Sequence, residues 1–358
     1  MYEYKGLQDI FFVMLYGGAT LLAVVACLYL LLTRGNMFSS AINPPRELRR
    51  WTAAFMASVG ASHVWWIMLG IYWLTGDRLI RNIVAITLDR LTFVPLMMVV
   101  LLRMLQDRRR PLWPVFVAMI PIALMAIVSF VSRKDDFEWY MEGYSILLAL
   151  TFTIYIVRAV RQYGHWLHEN YADLEHKEVW QSLALLAFIL LVFIAYASNG
   201  GDIWTEYLAQ VNTLFIISFI LWRVETLQRL DDMEESEGST VASNDNNIGS
   251  LLEQHCEATG LYLQHDLSLH QLAIAIGTNR TYLSSYFAQQ GITYNTYINR
   301  LRIEHFIRLY RENRDLLHSA TAITLAQQSG FHSYSTFSTA FKNYTGCTVT
   351  AWIKAEST

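Results

Sequence analysis

Two short stretches near the carboxy terminus carry polar side chains in a pattern suited to holding a nucleic acid. The first offers Asn279, Arg280, Thr281, Ser284 and Ser285; the second offers Ser333, Tyr334, Ser335, Ser338, Thr339 and Lys342. Adjacent polar pairs recur four residues apart, so each set shares one face of a helix. Leu283 and Phe287, and equivalently Phe337 and Phe341, line the opposite faces at i, i+4 spacing. Hydroxyls, amides and a basic side chain at the head of such a face reach phosphate oxygens and base edges.

Each stretch needs a partner to hold it in place, and the sequence supplies one twice. A short apolar-periodic helix, Leu269–Gly277, precedes Asn279–Gln290, and Ile323–Gly330 precedes Ser333–Tyr344. Gly277 and Gly330 fall where a chain leaving one helix turns through positive φ, which glycine adopts at little cost. Ala273 and Ala326 are small enough to let the paired helices approach. Helix, glycine turn, polar-headed helix is the layout of a helix-turn-helix, whose second helix enters the major groove.

The segments "LSLHQLAIAIGTNRTYLSSYF", "YNTYINRLRIEHFIRLY" and "ITLAQQSGFHSYSTFSTAFKNYTG" together resemble the DNA-binding domain of the AraC family of transcription regulators. The resemblance runs from about Ile248 to the end. It implies two helix-turn-helix units joined by a long central helix, here Tyr294–Tyr310, with both reading helices in successive major grooves on one face of double-stranded DNA. Val349 stands where the family usually has proline after the final Gly-x-Thr. Thr339 stands at a position expected to be basic, and Thr281, Ser284 and Ser285 replace larger or basic residues. Phosphate contacts and DNA shape are then expected to carry more of the recognition than base edges do. From Ser250 onward, eight basic and seven acidic residues leave a charge of only +1. Arg300, Arg302, Arg308, Arg311 and Arg314 nevertheless cluster on or just after the central helix. The competing reading is a helical domain that binds protein.

The rest of the chain is of another character. At 54 % hydrophobic and 16 % charged residues the sequence is more apolar than an ordinary soluble protein, and the excess lies in the first 225 residues. Crossing ~30 Å of hydrocarbon takes about 20 apolar residues. Seven segments qualify: about Ile10–Leu32, Trp51–Thr75, Ile83–Leu102, Leu112–Ser132, Trp139–Val160, Val179–Ser198 and Ile203–Val224. Basic residues favour alternate loops (Arg46, Arg49 and Arg50; Arg108, Arg109 and Arg110; Arg158 and Arg161), which puts the amino terminus outside and the carboxy terminus in the cytoplasm. No cleavable signal peptide is evident. Cys27, Cys256 and Cys347 are far apart and lack metal-ligand spacing, so neither a disulfide framework nor a metal site is expected, and no cofactor.

Polar residues at bilayer depth are costly and mark packing or function. His63, Asp89 and Arg90 come to similar depths on the second and third spans. Either Asp89 or Arg90 is expected to pair with His63 and the other with a third helix. Glu206, Gln210 and Thr213 share a face of the last span. Trp139, Tyr140, Glu142 and Tyr144, with Gly200–Asp202, are a candidate outer mouth for a small ligand. Ala53, Ala57 and Ala61 follow a small-xxx-small pattern of close helix packing. Past the last span the helix is expected to run on through Val224–Glu235 into an acidic, Ser- and Asn-rich linker.

The expectation is therefore an all-α chain. Residues 1–230 form a seven-span bundle with a candidate sensing site at His63, Asp89, Arg90, Glu206 and Gln210. Residues 231–247 form a tether, and 248–358 the DNA-binding domain. Its partners are duplex DNA, the bilayer, a small-molecule or other signal, and a second copy. No Walker loop, dinucleotide turn or hydrolase motif is present, so enzyme activity is not expected. A transporter-like bundle coupled to a DNA-binding output, and a regulator released by proteolysis of the linker, are the other two readings.

Overall fold

The computed structural model describes residues 9–33, 35–38, 42–70, 76–133, 138–174, 177–180, 184, 187, 189, 203–230, 248–312 and 321–356. Among them the regular structure is helical, with one isolated antiparallel bridge between Tyr171 and Ser268. The chain divides into two compact units. One comprises Met1–Tyr163 and Val179–Leu230, the other Gly164–Glu178 and Asp231–Thr358.

The first unit contains α1 (Ile10–Leu32), α2 (Arg46–Gly70), α3 (Arg78–Arg103), α4 (Trp113–Val117), α5 (Ile120–Ser132), most of α6 (Glu138–Asn170) and α7 (Ile203–Thr226). Six of its helical stretches are long and apolar enough to cross a membrane. The sixth expected span, Val179–Ser198, lies mostly outside the described residues. The expected fourth span is one of these six, as Trp113–Ser132; it is irregular at Ala118 and Met119, between α4 and α5, where Pro121 has no N–H to give to Val117 O. The last helix stops at Thr226 instead of running on. Arg229 N–H donates to Asn43 O (2.8 Å) and Leu230 N–H to Gln106 Oε1 (3.0 Å), which turns the chain back onto this unit. The linker beyond it lies outside the described residues.

Packing in this unit is inside-out by the standard of a soluble protein. Helix α1 buries Tyr16, Ala19, Ala23 and Ala26 and exposes Phe11, Met14, Leu21, Leu28 and Leu32. The close α1–α2 approach runs through Gly60, where a Cβ would come within 3.3 Å of Val24 Cγ2. Of the alanine stripe, Ala53 is buried in this unit, while Ala57 and Ala61 face outward. At one end Glu225, fully buried, pairs with Arg49 (3.3 Å) and accepts from Tyr29 Oη (2.9 Å), while Asn36 donates to its backbone carbonyl (2.6 Å).

The second unit contains α8 (Ile248–Leu252), a π turn over Glu253–Glu257, a 3-10 turn over Leu261–Leu263, α9 (Leu269–Ala275), α10 (Arg280–Gln289), α11 (Tyr294–Glu312), α12 (Thr321–Gln328), α13 (Tyr334–Thr345) and α14 (Val349–Glu356). Helix α11 serves two cores. Tyr294, Tyr297, Ile298 and Leu301 pack with Leu269, Leu272, Leu283 and Phe287; Ile303, Phe306 and Tyr310 pack with Leu325, Phe331, Phe337 and Phe341. Val349 is buried at the first position of α14, a site proline would also suit, and Trp352 closes the second core against Phe306 (6.4 Å) and Phe341 (5.5 Å).

Candidate nucleic-acid interface

Each helix-turn-helix is assembled by local chemistry. Ser268 caps α9 in a reciprocal box with Gln271, and Asn279 caps α10 through Tyr282 N–H (2.9 Å). Ser333 caps α13 through Thr336 N–H (3.2 Å). These oxygens satisfy donors that a helix start leaves open. The turns bend as expected, with φ of +72° at Gly277 and +89° at Gly330, and Ala273 and Ala326 are buried between the paired helices.

The two glycines differ in what surrounds them. Nothing lies within 4 Å of a Cβ built on Gly277, whereas one on Gly330 would meet Leu263 Cα and O at 2.9 Å and Arg302 Nε at 3.0 Å. Gly277→Ala is expected to cost about 1–2 kcal/mol, the left-handed conformation alone. Gly330→Ala adds a backbone collision and should cost well over that. Urea denaturation of the two variants side by side measures the gap.

On α10, Thr281 and Ser285 are exposed and Ser284 half-buried; on α13, Ser335, Thr339 and Lys342 are exposed and Tyr334 and Ser338 half-buried. Asn279 and Ser333, expected among the contact residues, also hold their helix starts. Thr339 folds back on Ser335 O (3.1 Å), and Tyr334 packs on Phe337 (5.7 Å). Tyr282, a large side chain left exposed on the outer side of α10, was not singled out by the polar pattern. Arg280, the first residue of α10, donates from Nε to Asn170 Oδ1 at 2.8 Å, with its guanidinium 5.9 Å from the centre of the Trp166 ring.

The arginine cluster on α11 splits. Arg300 and Arg308 are exposed. Arg302 is wholly buried and donates to the carbonyls of Tyr262 (2.8 Å), Gln264 (2.6 Å) and His265 (3.2 Å). Burial pulls its pKa below the usual guanidinium value, yet arginine stays charged. It is a structural clamp, not a phosphate contact. Arg314 lies outside the described residues. Cys256 is likewise internal, its thiol pushed up to about 12 by burial, so it is a packing residue rather than a nucleophile. With its 19 residues α11 is about 28 Å long, close to the ~34 Å of one DNA turn.

In the first unit the expected sensing residues are held by different partners. His63 stands with Gln210 (Nε2 to Oε1, 3.0 Å), Val59 O (2.9 Å) and the Tyr16 ring (4.5 Å between centres). Neither Asp89 nor Arg90 pairs with it. Asp89 accepts from Ser62 (2.6 Å), Trp65 (3.1 Å) and Trp66 (2.7 Å), all on the neighbouring α2, and Arg90 pairs with Glu142 on α6 (3.0 Å). Glu206 is half-buried one turn from Gln210. Of the expected aromatic mouth, Trp139 and Tyr140 face outward, Glu142 serves Arg90, and Tyr144 donates to Ala118 O (2.9 Å). Gly200–Asp202 lie outside the described residues.

Residues 272–355 match the helix-turn-helix domain family. An uncharacterized HTH-type transcriptional regulator of Staphylococcus aureus (strain MRSA252) is 33 % identical over 96 residues, which is 26 % of this chain and 12 % of that protein. A second, from strain COL, is 32 % identical over the same span and the same shares. The chain thus spans about an eighth of the length of these curated relatives. No solved structure matches. The carboxy-terminal part of this chain is accordingly a helix-turn-helix domain of the AraC type, with transcriptional regulators as its relatives.

Proposed function

We propose that the chain is a membrane-embedded one-component transcription regulator. The second unit holds duplex DNA with α10 and α13, and the first unit sits in lipid and receives the signal. The observation that carries the DNA reading is the repeated short helix, positive-φ glycine and capped, polar-headed helix, built twice on either half of α11. Arg280 and Lys342 supply positive charge to phosphates, and Thr281, Ser284, Ser285, Ser335 and Ser338 supply short donors and acceptors. Lys342→Ala should weaken binding evenly across sequences and flatten the salt dependence by about one ion. A titration of a labelled duplex at several salt concentrations tests this, and an unchanged slope counts against Lys342 as a phosphate contact.

Support for the lipid reading is the apolar exterior of α1 together with the six membrane-length helices, since such a surface in water would drive aggregation. Exposed Trp113, Trp139 and Trp204 at helix ends suit the headgroup boundary. In this reading residues 1–230 span the bilayer seven times with the amino terminus outside, 231–247 tether, and 248–358 face the cytoplasm. A buried His63–Gln210 contact joining α2 to α7 is the favoured point of signal entry. His63→Ala and Gln210→Ala are expected to shift reporter output at equal protein levels, and unchanged output from both removes that assignment. Two tethered copies would raise each other's effective concentration on DNA.

A further inference from the structure

Residues Gly164–Glu178 belong to the DNA-binding unit although the sequence places them between two apolar helices. They are the last turns of α6 and the chain just beyond it. Four parts of the first helix-turn-helix receive them. Tyr171 bridges to Ser268, the cap of α9. Asn295 on α11 donates to the carbonyls of Tyr171 (3.1 Å) and Ala172 (2.7 Å). Lys177 pairs with Asp266 (3.5 Å) ahead of α9. Asn170 and Trp166 hold Arg280 at the head of α10.

The last of these contacts falls where DNA would approach. The second helix of a helix-turn-helix meets the groove with its amino-terminal residues, and Arg280 is the first residue of α10. Held by Asn170 through Nε, Arg280 cannot also offer its Nε–Nη fork to a phosphate, and its guanidinium stays beside Trp166. We propose that Gly164–Glu178 is an intramolecular latch on the first helix-turn-helix unit, and that it competes with duplex DNA for Arg280. This rests on the DNA-binding reading above.

The contacts suit a latch that opens. The segment adds Ala172 to the core it touches and buries Asn170, Tyr171, Asp173 and Lys177, but its direct bonds are polar: the amides of Asn295 and Asn299, the Arg280–Asn170 bond, and an ion pair whose Asp266 is largely exposed. Asn170 is also the last residue of the helix that opens at Glu138, so a signal that turns or draws α6 moves the latch directly. A closed latch raises the apparent Kd by the reciprocal of the open fraction.

The test uses the full chain in lipid nanodiscs and a fluorescein-labelled 40-base-pair mixed-sequence duplex at low salt. Asn170→Ala is expected to tighten binding about threefold to tenfold. Arg280→Ala should weaken it, and Asn170→Ala should give no gain when Arg280 is already alanine. In the wild type, saturating duplex should raise amide exchange at 171–174, a readout that needs no variant. Binding that is unchanged or weaker in Asn170→Ala, with exchange at 171–174 unchanged or lowered by duplex, overturns the latch while leaving DNA binding intact; the segment is then a permanent part of the domain. If the wild type and Asn170→Ala both retain no duplex, the DNA-binding reading fails and the latch with it.

Discussion

Replacing Arg302 with alanine is expected to unfold the DNA-binding unit under conditions where the wild type is stable. The guanidinium is fully buried on α11, satisfies three carbonyls of the 262–265 turn, and lies 5.7 Å from the Phe331 ring. Its removal takes the arginine donor from all three, leaving Gln264 O only a long bond from Leu267 N–H (3.4 Å), and opens a cavity where the two halves of α11 meet. Each orphaned buried acceptor costs about 1–3 kcal/mol, and loss of a buried charged partner typically costs about 3–5 kcal/mol in all. That is a large share of the ~5–15 kcal/mol that holds a domain together. Arg302→Lys should rescue little, because one ammonium cannot span the carbonyls a planar fork reaches. Arg300→Ala, on the exposed face, should fall within about 0.5 kcal/mol of wild type. Pulse proteolysis of the full chain across a urea series separates the three; equal stability of Arg302→Ala and Arg300→Ala would contradict the clamp.

The second large effect belongs to Glu225. Its carboxylate is excluded from solvent and joins α7 to Arg49 on α2 and Tyr29 on α1. Glu225→Ala strands the Arg49 charge in a site that is itself nearly closed, a loss of about 3–5 kcal/mol. Replacing Glu225 and Arg49 together by leucine and methionine should recover much of that loss, since a well-packed apolar pair is often as good as a buried ion pair. Thermal unfolding in a fixed detergent is the measurement. A single variant as stable as the wild type would show that the pair contributes nothing.

What the sequence disclosed and what it concealed divide by range. Caps, positive-φ glycines and apolar faces are decisions made within about four residues. Hence Ala273, Ala326, Leu283, Phe287, Phe337 and Phe341 are buried as the pattern requires. For polar residues in apolar helices the sequence does not disclose the partner, because the rotation of a helix about its axis is set by its neighbours. Asp89 therefore turned to Trp65 and Trp66, and His63 to Gln210. Arg302 looked like one more surface charge on α11, since nothing in a single sequence marks which arginine faces a turn forty residues earlier. Asn170 and Trp166 lie beyond the expected fifth span, which ends at Val160; their contact with Arg280 spans more than a hundred residues and carries no local signal.

The central claim is that one polypeptide places two groove-reading helices on duplex DNA while its other unit stays in lipid. Hydroxyl-radical footprinting of the full chain in nanodiscs, on duplexes selected by it from a random pool, tests this directly. The account predicts two protected stretches on one face of the DNA, centred about 10–11 base pairs apart. A single protected patch, or no duplex retained even at low salt, would contradict it.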